Sequence, residues 1–374
     1  MDENAVKVQD SAKEDAAETK RDYTENVSQE SPSSATKPAA QGRKPGGAPS
    51  GASRPPSRDR SNPRNGDGAR AKGKSTANGA ALANGVARDV FDYDIPISDK
   101  PGLQGYPELI QKRIAGEYEI DEFGCDPLYG QMWWPIFEQL YRNYWRVDTT
   151  GIEHVPGAGR AMVVANHSGG SYAWDAVMMS TALHLEHSRP RYVHYVSTEF
   201  FYDTPFLSFD NRKKGSALAC REDFVRLLER DLLVGVFPEG VKGFLKPNDK
   251  RYRVQRFGRG GFVQLAMMTR SPIVPVAVVG GEEIHFSLGN SRMLAKLVNR
   301  LIPQERAESF PLMLNLLPLP VKLRIEFCEP IDMTSYGPEA AMDTLLVNEI
   351  TEQVRGRIQE ALDRNLALRR SMFW

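Results

Sequence analysis

From Ala161 onward, short runs of Val, Ile and Ala alternate with segments whose apolar residues recur every three or four positions. The runs Ala161–Asn166, Arg191–Ser197, Leu233–Pro238, Ile273–Val279 and Val321–Cys328 are apolar almost throughout, as strands covered on both faces are. Between them, helical spacing predicts helices over Asp175–His184, Glu222–Arg230, Gly261–Thr269 and Met293–Leu301. This alternation predicts an α/β fold, a largely parallel central sheet with flanking helices. Pro275 inside a strand predicts an edge position or a local irregularity, because proline donates no ladder hydrogen bond. At the C-terminus, Leu346, Ile350, Val354, Ile358 and Leu362 predict one long amphipathic helix that packs on the rest, locally weakened by Gly356.

Upstream of the first strand, residues 89–127 read as an irregular lead-in with a short helix near Glu108–Glu117. Leu128–Val147 follows, with helical spacing and three Trp and three Tyr within twenty residues. Two readings remain open: an aromatic core helix, or a helix lying at a membrane interface, where such rings meet apolar and wet surroundings at once. The longest apolar run, Phe310–Val321, holds three prolines. It is too short to span a bilayer and apolar for a loop.

Composition changes the picture at the N-terminus. Residues 1–88 contain one aromatic, Tyr23, among many Ser, Pro, Gly, Ala and Asn. Such a segment buries too little apolar surface to offset its chain entropy, so a disordered N-terminal arm is expected. The net charge of zero conceals a division: residues 1–40 carry nine acids and five bases, residues 41–90 ten bases and three acids. The expected organisation is a disordered arm at 1–88, an N-terminal helical lead-in with the aromatic segment at 89–150, an α/β domain at 151–335 and a C-terminal amphipathic helix at 336–374. The basic stretch of the arm is diluted by Gly, Pro and Ser, so nucleic acid is not expected as a partner. Three widely spaced cysteines suggest neither a disulfide framework nor a metal site. With no secretory leader and no long apolar span, a cytoplasmic setting is expected.

Candidate chemistry gathers at strand ends, where open α/β sheets place ligands. Asn166-His167 closes the first strand, and Asp175 opens the next helix, so a carboxylate is available to orient an imidazole suited to proton transfer near neutrality. Read alone, both could be structural, His167 as a satisfied polar residue and Asp175 as a helix-terminus acid. Lys213 to Arg221 brings basic side chains around Gly215, ahead of a helix. Phe237-Pro238-Glu239-Gly240-Val241-Lys242 ends an apolar strand in an acid, a glycine and a cation.

Taken in order, these segments resemble the glycerolipid acyltransferase family. Asn166-His167 with Asp175 is similar to its first motif, Asn-His-x4-Asp, in a widened, glycine-rich form resembling bacterial members. Seven residues separate His167 from Asp175 instead of four, so Gly169 and Gly170 must loop out. Gly215 and Arg221 match the second motif, with Leu218 where Phe is usual. Phe237 to Gly240 match the third, in which Val241 and Lys242 stand for Thr and Arg, and Val274-Pro275-Val276 resembles the fourth. The resemblance covers about residues 145–330.

It implies transfer of a fatty acyl group from an acyl thioester, acyl-CoA or acyl carrier protein, to a hydroxyl of a lysophospholipid or glycerol phosphate. His167 would be the general base and Asp175 its orienting partner. Gly215, Arg221, Glu239, Gly240, Lys242 and Pro275 would form the substrate-binding set, and backbone N–H groups around Ser168–Gly170 an oxyanion site. No bound cofactor or metal is expected. A membrane lipid acceptor and an acyl donor are the expected partners, with peripheral attachment to the inner face of the cell membrane through 128–147 and 310–321. Two other classes remain: a catalytically degenerate lipid-binding protein, and a serine hydrolase using Ser168, which the lack of a Gly-x-Ser-x-Gly elbow disfavours.

Overall fold

The computed structural model describes residues 105–374 except 169, 199–206, 245, 302–309, 316 and 374. The expected disordered arm, with residues 89–104 of the lead-in, lies outside the described residues. In chain order the elements are α1 (Tyr106–Ala115), α2 (Pro127–Gln131), α3 (Trp134–Gln139), β1 (Asp148–Thr150), β2 (Ala161–Ala165) and α4 (Trp174–Leu185). Next come β3 (Val193–Ser197), α5 (Leu207–Lys213), β4 (Ala217–Leu218), α6 (Arg221–Glu229), β5 (Leu233–Val236) and α7 (Val241–Phe244). The chain continues through α8 (Gly261–Thr269), β6 (Ile273–Val279), β7 (Ser287–Ser291), α9 (Arg292–Leu301), β8 (Phe310–Met313), β9 (Arg324–Phe327) and α10 (Thr344–Leu368).

Seven strands form the central sheet in the order β1-β9-β6-β2-β5-β3-β4. All neighbouring pairs are parallel except β6 with β9. The largely parallel α/β architecture is therefore as expected. The middle strands β2, β5 and β6 are buried along their whole length, which is why they read as unbroken apolar runs. On one face pack α6, α8 and α10, the last burying Val347, Ile350, Val354, Ile358 and Leu362. That helix runs unbroken through Gly356. On the other face α4 packs with Phe137, Tyr141 and Trp145.

One expectation is corrected, and one pair of alternatives is decided. The segment Leu128–Val147 is not one helix: α2 and α3 are separate, and a π-helical turn at Leu140–Tyr144 follows. Pro135 sits in the first turn of α3, where its missing N–H costs nothing. Phe137, Tyr141 and Trp145 are buried core, and Trp145 donates Nε1–H to the carbonyl of Leu319 at 3.0 Å. Of the two alternatives for Pro275, the structure shows the local irregularity and not the edge, because β6 lies between β9 and β2. Its nitrogen points to the β9 side, between the Ile273–Ile331 bridge and the first rung of the β9 ladder at Val276–Phe327. The rung there is half made: the Cys328 N–H donates to the Pro275 carbonyl at 2.8 Å, and the proline nitrogen returns no bond.

Candidate active site

β2 and β5 are hydrogen-bonded neighbours, with Val164 opposite Val236, so the turns that follow them emerge side by side. The first turn carries His167 and the second carries Glu239. Asn166 fixes the end of β2 by exchanging two hydrogen bonds with the backbone of Val278 on β6, at 2.8 and 3.1 Å. The chain then makes a left-handed step at Gly170 (φ +63°), a short 3-10 turn over Gly170–Tyr172, and a second left-handed step at Ala173 before α4 begins. These steps absorb the widened spacing. Asp175 consequently returns to His167, with its Oδ2 accepting from Nδ1 at 2.8 Å.

Asp175 is fully buried and surrounded by donors. Its Oδ2 also accepts the Ser168 N–H at 2.7 Å, and its Oδ1 the Ala176 N–H at 2.9 Å. Burial works against its charge, yet the His167 imidazole and the backbone donors hold the carboxyl below the usual carboxylate range. A carboxylate only accepts, so Nδ1 of His167 carries the proton and Nε2 is the basic nitrogen of the neutral ring. Of the backbone N–H groups expected around Ser168–Gly170 to form an oxyanion site, that of Ser168 is committed to Asp175. Gly169 lies outside the described residues.

Glu239 holds the site from behind. Its Oε1 accepts the backbone N–H of His167 at 2.9 Å and its Oε2 that of Gln255 at 2.7 Å. Lys246, with a side chain only 2 % exposed, bridges Glu239 at 3.2 Å and Glu282 at 2.9 Å. Both oxygens of Glu239 are thus spent on the protein, and its position is that of an organiser. The His167 ring stacks on Phe237 with centroids 4.4 Å apart, and Phe237 on Tyr195 at 5.7 Å. Gly243 must lack a side chain, because a Cβ there would lie 2.5 Å from Glu239 Cβ and 3.1 Å from His167 Cβ.

The remaining expected site residues are distributed differently. Gly240 turns the chain at φ +56°. Lys242 is exposed on α7, and Arg221 is exposed at the start of α6 with its guanidinium on Met268 Sδ at 3.1 Å. Neither is hydrogen-bonded to the His167, Asp175 and Glu239 cluster. Gly215, at φ +78°, packs against Tyr192, Cys125 and His194, and Pro275 is buried within β6.

Sequence reasoning missed the groups that tie these turns together. Lys246, Glu282 and Tyr252 meet only in three dimensions, with the Tyr252 N–H on Glu282 at 2.7 Å. Tyr172, inside the widened turn, is hydrogen-bonded to Asp210 on α5, and Lys214 donates to Tyr172 at 2.7 Å while lying 4.3 Å from the Trp133 ring. His285 supports the turn from the far side, since a Cβ on Gly170 would come within 2.3 Å of its ring. The Tyr at 172 and the Lys before Gly215 were visible signals, but nothing in their spacing joins them.

A sequence model of the family described as Acyltransferase matches residues 146–279. An uncharacterised protein of Mycobacterium tuberculosis (strain H37Rv) is 38% identical over 309 residues, which is 82% of each chain. One of Mycobacterium leprae is 41% identical over 270 residues, 71% of this chain and 73% of that one. A human protein named as a DGAT1/2-independent enzyme synthesizing storage lipids is 24% identical over 232 residues, 62% of this chain and 64% of the human one. Among solved structures, the 1-acyl-sn-glycerophosphate acyltransferase PlsC of Thermotoga maritima aligns with a TM-score of 0.41 and 17% identity, over 66% of this chain and 83% of that one.

Proposed function

Since the chain belongs to the acyltransferase family, we propose that it moves a fatty acyl group from acyl-CoA or acyl carrier protein to a hydroxyl of a lysophospholipid or glycerol phosphate. The observation that carries this reading is the 2.8 Å contact between His167 Nδ1 and the buried carboxylate of Asp175, closed across a spacing wider than the family's usual one.

Nε2 of His167 takes the proton of the acceptor hydroxyl as its oxygen attacks the thioester carbonyl. Asp175 stabilises the imidazolium that forms. Collapse of the tetrahedral intermediate breaks the carbon–sulfur bond, and the imidazolium returns the proton to the departing thiolate. The products are an ester and a free thiol, and no acyl-enzyme or bound cofactor takes part. Arg221 and Lys242, both exposed cations, are the proposed grips for the acceptor's phosphate, with Gly215 and Gly240 shaping their turns. Lys242 offers a point charge rather than a planar fork.

No helix among the described residues is long and apolar enough to cross a membrane. Peripheral attachment to the inner face of the cell membrane fits a lipid acceptor reached from one leaflet. The deciding experiment is His167→Ala assayed for thiol release from acyl-CoA in the presence of a lysophospholipid panel, with products identified by mass spectrometry. Glu239 binds the backbone of residue 167 and not its ring, so the variant is expected to fold and lose transfer. Near-normal turnover sinks the assignment.

A further inference from the structure

Between β6 and β9 the chain leaves the sheet, forming a β7–β8 hairpin with α9 inserted in it. Its base is fastened through Asn315, whose Oδ1 accepts the Phe286 N–H at 2.6 Å and whose Nδ2 donates to the Ile284 carbonyl at 3.0 Å. His285, which supports Gly170 of the catalytic turn, gives its Nδ1 to the Asn315 carbonyl at 3.1 Å. The excursion is therefore built onto the back of the turn that carries His167.

Its outer surface gathers several exposed apolar side chains. Phe286, Leu288, Met293, Leu297, Leu314 and Leu317 are all more than half exposed, reaching 82% at Met293 and 81% at Leu317. Met293 and Leu297, four apart, share one side of α9, while Ala295 faces inward. Arg292, Lys296 and Arg300, again four apart, form an adjoining exposed basic row. From Ile284 to Leu301, and again from Phe310 to Val321, the sequence contains no acidic residue. An apolar stripe flanked by a row of exposed cations suits a helix lying in the headgroup region of an anionic bilayer. Within 128–147, Tyr144 and Trp145 donate to the carbonyls of Pro318 and Leu319 and so anchor the chain that returns from the excursion.

We propose that the exposed face of β7, α9 and β8 docks the protein on an anionic lipid surface and sets His167 beside the leaflet that supplies its acceptor. The inference rests on the acyl-transfer reading for the second clause only. Apolar insertion supplies the attachment, and the basic row selects anionic headgroups.

The test is co-sedimentation of the full chain with phosphatidylcholine vesicles and with mixed phosphatidylcholine–phosphatidylglycerol vesicles. Wild type is expected to prefer the anionic vesicles. Met293→Glu with Leu297→Glu should weaken binding to both by roughly a hundred-fold, since two buried apolar side chains are lost. Replacing Arg292, Lys296 and Arg300 by Gln should cost about a hundred-fold on anionic vesicles, at about five-fold per charge, and little on neutral ones. Transfer to a short-chain, water-soluble lysolipid should be retained by the Met293/Leu297 variant, while transfer to vesicle-borne acceptor falls. Wild type that stays in the supernatant, or a Met293/Leu297 variant that sediments like wild type, overturns the proposal. So does a wild-type dimer in sedimentation velocity that the Met293/Leu297 variant dissociates without any vesicle binding. Vesicle binding in the expected pattern by a chain with no transfer activity would instead sink the enzymatic reading and leave the docking surface standing.

Discussion

Asp175→Asn tests the site at its tightest point. The carboxylate accepts three N–H groups, from His167, Ser168 and Ala176. An amide has one acceptor oxygen, so it cannot satisfy both sides. With its oxygen toward His167 and Ser168, its NH2 meets the Ala176 N–H donor to donor. Flipped, it opposes the Ser168 N–H and donates to Nδ1 of His167, which forces the proton onto Nε2 and abolishes the base. The tautomer argument sets the expected loss of turnover at about 10³ to 10⁴-fold, or ~4 to 5 kcal/mol of transition-state stabilisation. One buried donor left unsatisfied should cost a further ~1 to 3 kcal/mol of fold stability. Thiol release from acyl-CoA with a lysolipid acceptor measures the first, and urea unfolding of the same preparation the second. A folded Asp175→Asn protein with kcat/KM within about ten-fold of wild type refutes the tautomer argument.

Three further outcomes follow from the surrounding contacts. Glu239→Gln turns an amide NH2 toward either the His167 or the Gln255 N–H and leaves Lys246 with Glu282 alone, so stability should fall by ~2 to 3 kcal/mol and transfer by more than about ten-fold, read by unfolding and by turnover. Gly170→Ala combines a left-handed backbone with a Cβ 2.3 Å from the His285 ring, whereas Gly116→Ala has a similar φ and open space; thermal melts should show the first well below the second, which loses only ~1 kcal/mol. His194 is buried neutral, with its pKa pushed down to about 4 from 6.5 by burial. The unfolded chain then binds a proton that the folded one does not, so stability is full above the unfolded pKa and is lost as pH falls from about 6.5 toward 4, by up to ~3 kcal/mol. His194→Asn should flatten that part of the urea-midpoint profile, and an unchanged slope would place the titrating group elsewhere.

Much of this was legible in the chain, and what escaped shares a cause. Ile273–Val279 is strand in both readings because an unbroken apolar run, five of its seven residues β-branched, leaves no polar face to mislead. β4 has only two residues, β7 contains Gly289 and three polar positions, and β8 contains Pro311, so none carries a period. The aromatic segment keeps helical spacing across a break at Trp133, which spacing cannot register. At the site, His167 and Asp175 stand close in sequence and could be paired by chemistry, although the reach of the carboxylate depended on two left-handed steps. Lys246 with Glu239 and Glu282 depends on neighbouring strand ends, and no local pattern encodes that.

The hydrogen bond from the His167 backbone to Glu239 spans 72 residues, and Lys246 reaches Glu282 across 36. His167 and Asp175, eight apart, can meet as soon as their turn forms, but the turn is fixed in place only when β5 has been made and paired beside β2. Loop closure over such separations comes late in folding. A chain still emerging from the ribosome therefore holds His167 and Asp175 on a turn that has not yet been anchored, and the site is complete only once the later strand has joined the sheet.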